Sequence, residues 1–433
     1  MINLHGAVTP HWPRILARVA QATGCLAFAA AARCDVVAVA STEPSWRVAP
    51  SIVARLGYDS NVHLQDETPS PACAGAVAPR RGSWFGTIAS QLAVRRTGSA
   101  TLEGTYGAEV VRYASTPGEN HAVHRAQASA TGRPGATTWT LLGQATWTDG
   151  SALGPIFGGV GGAAAMGGIP LRDRRAALVV RTSARMSHTR GAWVFRPLAS
   201  FYHHDFRTEQ SPQPGYVNYI DRAERLAGGD AGFALAPQIR LLAGYRGGAQ
   251  SQGTLLGKAS PYVSTLHRAL VGLETTGTGA FQATLLAGPE WRQFAHATPA
   301  GFDRGWQRLW VDALAVLRTG ARDAFSASWR QFSQPSFGSV SIYQDITFEA
   351  VWRRRWTAKV ESTLRYKAYG GEWQPPALRH DWVLTPAFGL TAALGRSVVE
   401  LDVALDNGLS RLPDTGGRNF HRAVATISLK RAL

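Results

Sequence analysis

The residues of this chain that could do chemistry are mostly arginines, and they keep to a period of two. Arg181 and Arg185 flank Ser183 on one parity of a segment whose other parity is Leu178, Val180, Ala184 and Met186. In an extended strand every second side chain faces the same side, so both guanidinium groups share one face. Arg47, Arg55, Arg95, Arg125, Arg196, Arg240, Arg246 and Arg365 hold the corresponding parity of other segments. A guanidinium is planar, always charged and weakly hydrated, and it suits carboxylate or phosphate. Several on one wall raise the local anion concentration through a field that salt screens. Acidic residues of the same parity gather later, at Asp345, Glu349, Glu400, Asp402 and Asp406. Clusters of opposite sign facing each other would set a field across a lumen, and the positive excess favours anions. The competing expectation for any one arginine is a carboxylate partner or a place at a rim.

The sequence carries no complete signature of other chemistry. There is no Gly-x-Ser-x-Gly, no His-Glu-x-x-His and no paired-cysteine metal site. Gly159-Val160-Gly161 with Ala164 matches a loose dinucleotide pattern, but no amphipathic helix follows it. Gly253 to Lys258 misses the phosphate-loop spacing by one residue. His203-His204-Asp205 could hold a metal, yet adjacent strand residues point to opposite faces, and a polar rim is the simpler reading. The expectation is a non-enzyme without cofactor or metal.

The elements that must position these arginines are strands. At 99–114, Leu102, Tyr106, Ala108 and Val110 oppose Glu103, Thr105 and Glu109. At 397–409, Val399, Leu401, Val403 and Leu405 oppose Glu400, Asp402 and Asp406. Eighteen segments read this way. The first nine span 46–60, 83–97, 99–114, 120–131, 136–149, 174–187, 192–206, 220–235 and 238–250. The rest span 263–275, 280–294, 305–317, 322–334, 341–353, 356–369, 380–393, 397–409 and 419–433. They are longer than ordinary globular strands and suit tilted strands that cross a bilayer.

The links between them alternate. Gly98, Gly132-Arg133-Pro134-Gly135, Thr189-Arg190-Gly191, Ala236-Pro237, Gly277-Thr278-Gly279 and Leu394-Gly395-Arg396 are tight turns. Longer links cover 61–82, 115–119, 150–173, 207–219, 251–262, 295–304, 335–340, 370–379 and 410–418. The pattern predicts an all-β, antiparallel up-and-down transmembrane barrel of about eighteen strands, with short periplasmic turns and longer extracellular loops. A soluble propeller or sandwich would show shorter strands and a sequence repeat. Trp46, Trp84, Trp147, Trp193, Trp306, Trp352, Trp356 and Trp382 fall near segment ends, where interfacial girdles need amphipathic rings.

Composition agrees. The 433 residues hold 45 Lys+Arg against 29 Asp+Glu, a formal net charge of +16. Hydrophobic residues at 45% exclude disorder, and 3 Cys exclude a disulfide scaffold. The pairing of 46 Gly, 14 Trp, 11 Tyr and 16 Phe with only 3 Met leans towards β-structure. The arginines are spread by parity rather than clustered with aromatics, so no nucleic-acid partner is expected. Beyond the N-terminus no apolar run reaches about 18 residues, which excludes a helical membrane protein. Residues 1–40 read as a signal peptide: Arg14 and Arg18, the apolar stretch Ala20 to Ala32, then the small-residue cleavage site Ala38-Val39-Ala40. Residues 41–433 then form the barrel, placed in the outer membrane of a Gram-negative cell.

Gly57-Tyr58-Asp59-Ser60-Asn61-Val62 closes the first strand, and Gly167-Gly168-Ile169-Pro170-Leu171-Arg172-Asp173-Arg174-Arg175 follows later. These stretches resemble the outer-membrane β-barrel porin-like proteins of the β-barrel porin 2 type. The resemblance implies an outer-membrane channel and carries no catalytic residues. It also implies that 150–173, with Gly158, Gly161, Met166 and Gly168, folds inward as a constriction loop. A long loop containing Ile156, Phe157 and Met166 is unfavourable in water, which agrees.

Eighteen strands are enough for an aqueous channel. The expected function is passive diffusion of small polar, mainly anionic, solutes past Arg55, Arg125, Arg181, Arg185, Arg196, Arg246 and Arg365. The alternatives are an exporter of an anionic polysaccharide and, further off, a soluble basic β protein. Expected partners are outer-membrane lipid, the solutes themselves and the barrel-assembly machinery, which reads the C-terminal strand ending at Leu433. A homo-oligomer is left open.

Overall fold

The computed structural model describes residues 45–64, 80–150, 165–166, 169–170, 176–212, 218–275, 279–296, 301–302, 304–336, 341–375, 378–411 and 419–433. The expected signal peptide at 1–40 lies outside them.

Eighteen long strands form one sheet. They are β1 Ser45–Asp59, β2 Ser83–Thr97, β3 Ala100–Tyr113, β4 His121–Gly132, β5 Thr137–Asp149 and β6 Ala177–Arg190. Next come β7 Trp193–Phe206, β8 Arg222–Ala236, β9 Ile239–Gln252, β10 Ser264–Thr275, β11 Phe281–Phe294 and β12 Gly305–Thr319. The last six are β13 Asp323–Pro335, β14 Ile342–Arg355, β15 Val360–Trp373, β16 His380–Leu394, β17 Ser397–Arg411 and β18 Phe420–Ala432. Each pairs antiparallel with the next, and β1 pairs with β18 from Ser51↔Ala432 to Asp59↔Val424. The barrel is therefore closed. Closure leaves no free edge, the condition for placing strands in hydrocarbon. The expected fold and its alternation of short and long connections are both found.

The period of two fixes inside and outside. On β1 the exposed outer set is Trp46, Val48, Ile52, Leu56 and Tyr58, while Arg47, Ser51, Arg55 and Asp59 face inward. Most strands continue this, so the barrel wall is largely apolar outside and polar inside, as a transmembrane barrel of the bacterial outer membrane is. Two short turns show how the reversals are made. Gly191 between β6 and β7 has φ +59, and Gly395 between β16 and β17 has φ +63. Tight hairpins need that left-handed backbone, which glycine adopts without a Cβ clash.

At the long-loop end the wall splits. The β12–β13 ladder stops at Val311↔Gln331, although β12 begins at Gly305 and β13 runs to Pro335. The β13–β14 ladder continues to Pro335↔Ile342. The tip of this hairpin leaves the wall and folds inward. Consecutive residues Ser341, Ile342, Tyr343, Gln344 and Asp345 are all buried, so both faces of the strand are covered. Ile342 packs in a nest of Tyr262, Phe294 and Trp306, edged by Phe302. Burial there pushes the Tyr262 hydroxyl up to about 12, so it stays neutral. Gln344 Nε2 donates to the Leu309 carbonyl of β12 at 3.2 Å. Three donors from other strands hold the tip. Arg222 Nη1 reaches Pro335 O at 2.9 Å, Arg292 Nη2 reaches Ser333 O at 2.7 Å and Gln252 Nε2 reaches Ser336 O at 2.8 Å.

One expectation is corrected. Trp306 belongs to the inner nest and is 5% exposed, not part of an outer girdle. On β12 it shares parity with Arg308 and Asp312, which face the lumen. Trp46, Trp84, Trp193, Trp356 and Trp382 are exposed, as a girdle requires.

Candidate functional site

The strand register sets Arg55, Arg125, Arg181, Arg185, Arg196, Arg246 and Arg365 on the inward parity. Their surroundings divide them into three groups.

The first group lies on β1 to β6. Arg125 Nη1 donates to Glu109 Oε2 at 2.7 Å, and Arg55 Nη1 donates to Glu109 Oε1 at 3.4 Å. One carboxylate thus serves two cations. Arg181 has its guanidinium 5.3 Å from the centre of the Tyr202 ring, is exposed, and makes no ion pair with a described carboxylate. A stacked guanidinium keeps its edge donors available. Between these arginines the wall forms a hollow of about 400 Å³ lined by Gln91, Thr105, Glu109, Arg125, Gln144 and Arg181, among others. Gly107 has no side chain to fill it, and Gln144 Nε2 donates to Gln127 Oε1 at 2.9 Å. The hollow offers amides, hydroxyls and cations side by side.

The second group lies on β6 to β10. Arg196 Nη1 donates to Glu274 Oε2 at 2.7 Å, and Arg240 Nη1 also donates to Glu274. Arg246 Nη2 takes both oxygens of Asp230 at 2.8 and 3.0 Å, and its Nη1 donates to Gly229 O at 2.7 Å. Arg246 is buried, so it braces the wall more than it faces water. Arg185 shares the inward parity of β6 with Arg181. Asp312 and its register partner Arg330 are exposed on the inward face, six strands away from Arg185.

The third is Arg365 on β15, whose Nη2 donates to Asp402 of β17. The acidic residues expected to form a separate cluster are thus partly matched locally: Asp402 by Arg365, and Asp406 by Arg422 Nη1. The charges interlock between neighbouring strands more than they oppose across the lumen.

The constriction-loop residues Gly158, Gly161 and Gly168 lie outside the described residues. Of Met166 only the backbone is described: Ala165–Met166 pairs with Ile169–Pro170 as a two-residue hairpin. This short piece lies within 8 Å, Cα to Cα, of β15 and β16, while its flanking strands are β5 and β6. His203-His204-Asp205 holds no metal cluster among the described residues. His204 instead stacks on Phe206, with ring centroids 3.9 Å apart.

Several residues escaped the sequence reading. Glu109, Asp230 and Glu274 had the inward parity, but which arginine each would meet depends on register. Gln91, Gln127 and Gln144 carry no signal until the ladder lines them up. Arg222 and Arg292 matter because the β13–β14 hairpin bends towards them.

No protein-family model matches this chain, and no curated protein matches it. Several solved structures are similar to it over most of its length. The outer-membrane protein opdK of Pseudomonas aeruginosa is 10% identical, covers 89% of this chain and 99% of its own, and superposes with a TM-score of 0.43. OccK3 (OpdO) of the same organism is 13% identical, with 89% and 96% covered and a TM-score of 0.43. OccK2 (OpdF), solved in complex with glucuronate, is 9% identical, with 89% and 98% covered and a TM-score of 0.44. At these identities and TM-scores the likeness carries no weight of its own, and the barrel rests on the strand register.

Proposed function

We propose that the chain is a passive outer-membrane channel for small polar solutes, with a preference for anions. The observation that carries this reading is the hollow between β1 and β6, where Arg125 and Arg181 stand exposed among glutamine and threonine side chains on the inward face. Cations in a confined polar space raise local anion concentration, and a guanidinium edge donates two hydrogen bonds to a carboxylate or phosphate. The glutamine amides both donate and accept, so they suit a solute carrying hydroxyl as well as acid groups. Two elements supply a narrow passage. One is the β13–β14 hairpin folded under the long-loop end. The other is the short piece Ala165–Met166, which approaches β15 and β16. The inward-folded hairpin also disfavours an exporter of a bulky polysaccharide, which needs an open bore. The test is reversal potential in planar bilayers under a salt gradient. A positive pore gives anion selectivity at low salt; cation selectivity would contradict the reading.

A further inference from the structure

The positive excess of this chain has one address that solute passage does not use. The short turns of the barrel contain no Asp or Glu, yet Arg133, Arg322, Lys359 and Arg396 lie in them. Strand ends at the same rim add more cations, and some belong to the outward parity. Arg96 on β2, Arg190 on β6 and Arg431 on β18 share the face of the lipid-facing residues Leu92, Met186 and Ile427. A cation on that face within the hydrocarbon is costly, and at the rim it costs much less and can reach a head group.

Tryptophans mark the depth. Trp46 is 62% exposed and its ring lies 5.6 Å from the Arg96 guanidinium. Trp193 is 48% exposed and is the register partner of Arg190. Trp356 is 52% exposed and lies 4.6 Å from the guanidinium of Arg354, whose Nη1 also meets Asp323 at 3.6 Å. An outward indole belongs at the junction of acyl chains and head groups. An arginine held against such a ring is therefore at head-group level on the outside of the barrel, not over the lumen mouth. At that level the acceptor of complementary charge is a lipid phosphate.

We propose that the short-turn rim is a collar that binds the phosphates of anionic phospholipid in the leaflet it enters. Arg96, Arg190, Arg396 and Arg431 form the contacts, and Trp46, Trp193 and Trp356 set their depth. The proposal does not depend on what passes through the lumen.

The experiment uses the whole chain reconstituted in bilayer nanodiscs of phosphatidylcholine with a minor fraction of phosphatidylglycerol. Lipid retained on the released protein is counted by native mass spectrometry. The wild type should hold phosphatidylglycerol enriched roughly fivefold or more over its bulk fraction, since each surface arginine is worth about that factor. The enrichment should fall at 0.5 M salt, and inorganic phosphate added at millimolar concentration should not displace the lipid. Replacing Arg96, Arg190, Arg396 and Arg431 together with Gln should bring the enrichment to about one, with heat-modifiable gel migration unchanged. The exposed cation Arg225, on the outward face near the long-loop end, is the control, and Arg225→Gln should leave the enrichment in place. No enrichment in the wild type, or an enrichment the four substitutions leave intact, overturns the proposal. If the quadruple variant does not fold, single substitutions should each lower the retained count, and a flat series overturns it equally.

Discussion

Arg222 on β8 donates from Nη1 to the carbonyl of Pro335 on β13 at 2.9 Å, across a gap that no backbone ladder bridges. The bond ties one wall of the barrel to the tip of a hairpin that has left another. Arg292 Nη2 repeats the arrangement on Ser333 at 2.7 Å. Both arginines are buried. A guanidinium that donates to a neutral carbonyl fixes position without demanding a second buried charge, although Arg292 also meets Glu290 at 2.7 Å.

If these bonds hold the hairpin inward, weakening them should open the long-loop mouth. Arg222→Gln should raise single-channel conductance and increase open-channel noise, while the barrel still shows heat-modifiable migration. Conductance equal to that of the wild type would mean that the aromatic nest around Ile342 alone holds the hairpin in place.

Glu109 serves Arg55 and Arg125 together. Glu109→Gln should leave both cations without their shared counter-charge and move the reversal potential further towards anions at low salt. The shared pair is partly exposed, so its loss should cost about 1 kcal/mol of stability or less. A shift towards cations would show that the two arginines do not act on passing ions.

Close strand approach sets a limit at Gly288 on β11. A Cβ built there would lie 1.9 Å from the carbonyl oxygen of Ala269, a backbone atom that cannot swing aside. Gly288→Ala should lower the yield of folded barrel and destabilise it by about 1–3 kcal/mol, the usual range for overpacking. Gly86→Ala is the control, because nothing lies within 4 Å of its added Cβ. Urea titrations in detergent distinguish the two; equal midpoints would mean that the β10–β11 contact is looser than these distances.

The 150–173 segment gives a separate expectation. Deleting Gly158 to Gly168 should widen the passage and raise conductance while the barrel assembles. Unchanged conductance, with protease cutting the wild-type segment from the cell surface, would make it an external loop.

Much of the molecule is legible in the sequence because a barrel strand has a simple rule. Leu178, Val180 and Met186 against Arg181, Ser183 and Arg185 name the two faces of β6 without any partner. Turn residues such as Gly191 and Gly395 then mark the reversals. What parity cannot supply is register between strands far apart in sequence. Arg196 and Glu274 both point inward, but only the paired ladder of β7 to β10 brings them together. Nor can parity foresee a strand covered on both sides. Ser341 to Asp345 mix polar and apolar residues on both parities, and their burial on both faces follows from a bend towards Arg222 and Arg292. Trp306 was readable: it shares parity with Arg308 and Asp312, and its place near a segment end suggested the girdle instead.

The anion preference proposed for the pore rests on the inward-facing arginines of β6. The decisive measurement is the reversal potential in planar bilayers after Arg181 and Arg185 are replaced with Glu. Screening length falls from about 10 Å at 0.1 M to about 3 Å at 1 M. The double substitution should therefore shift selectivity strongly towards cations at 0.1 M and only slightly at 1 M. A wild type that is already cation-selective, or a reversal potential that the double substitution leaves unmoved at 0.1 M, would contradict it.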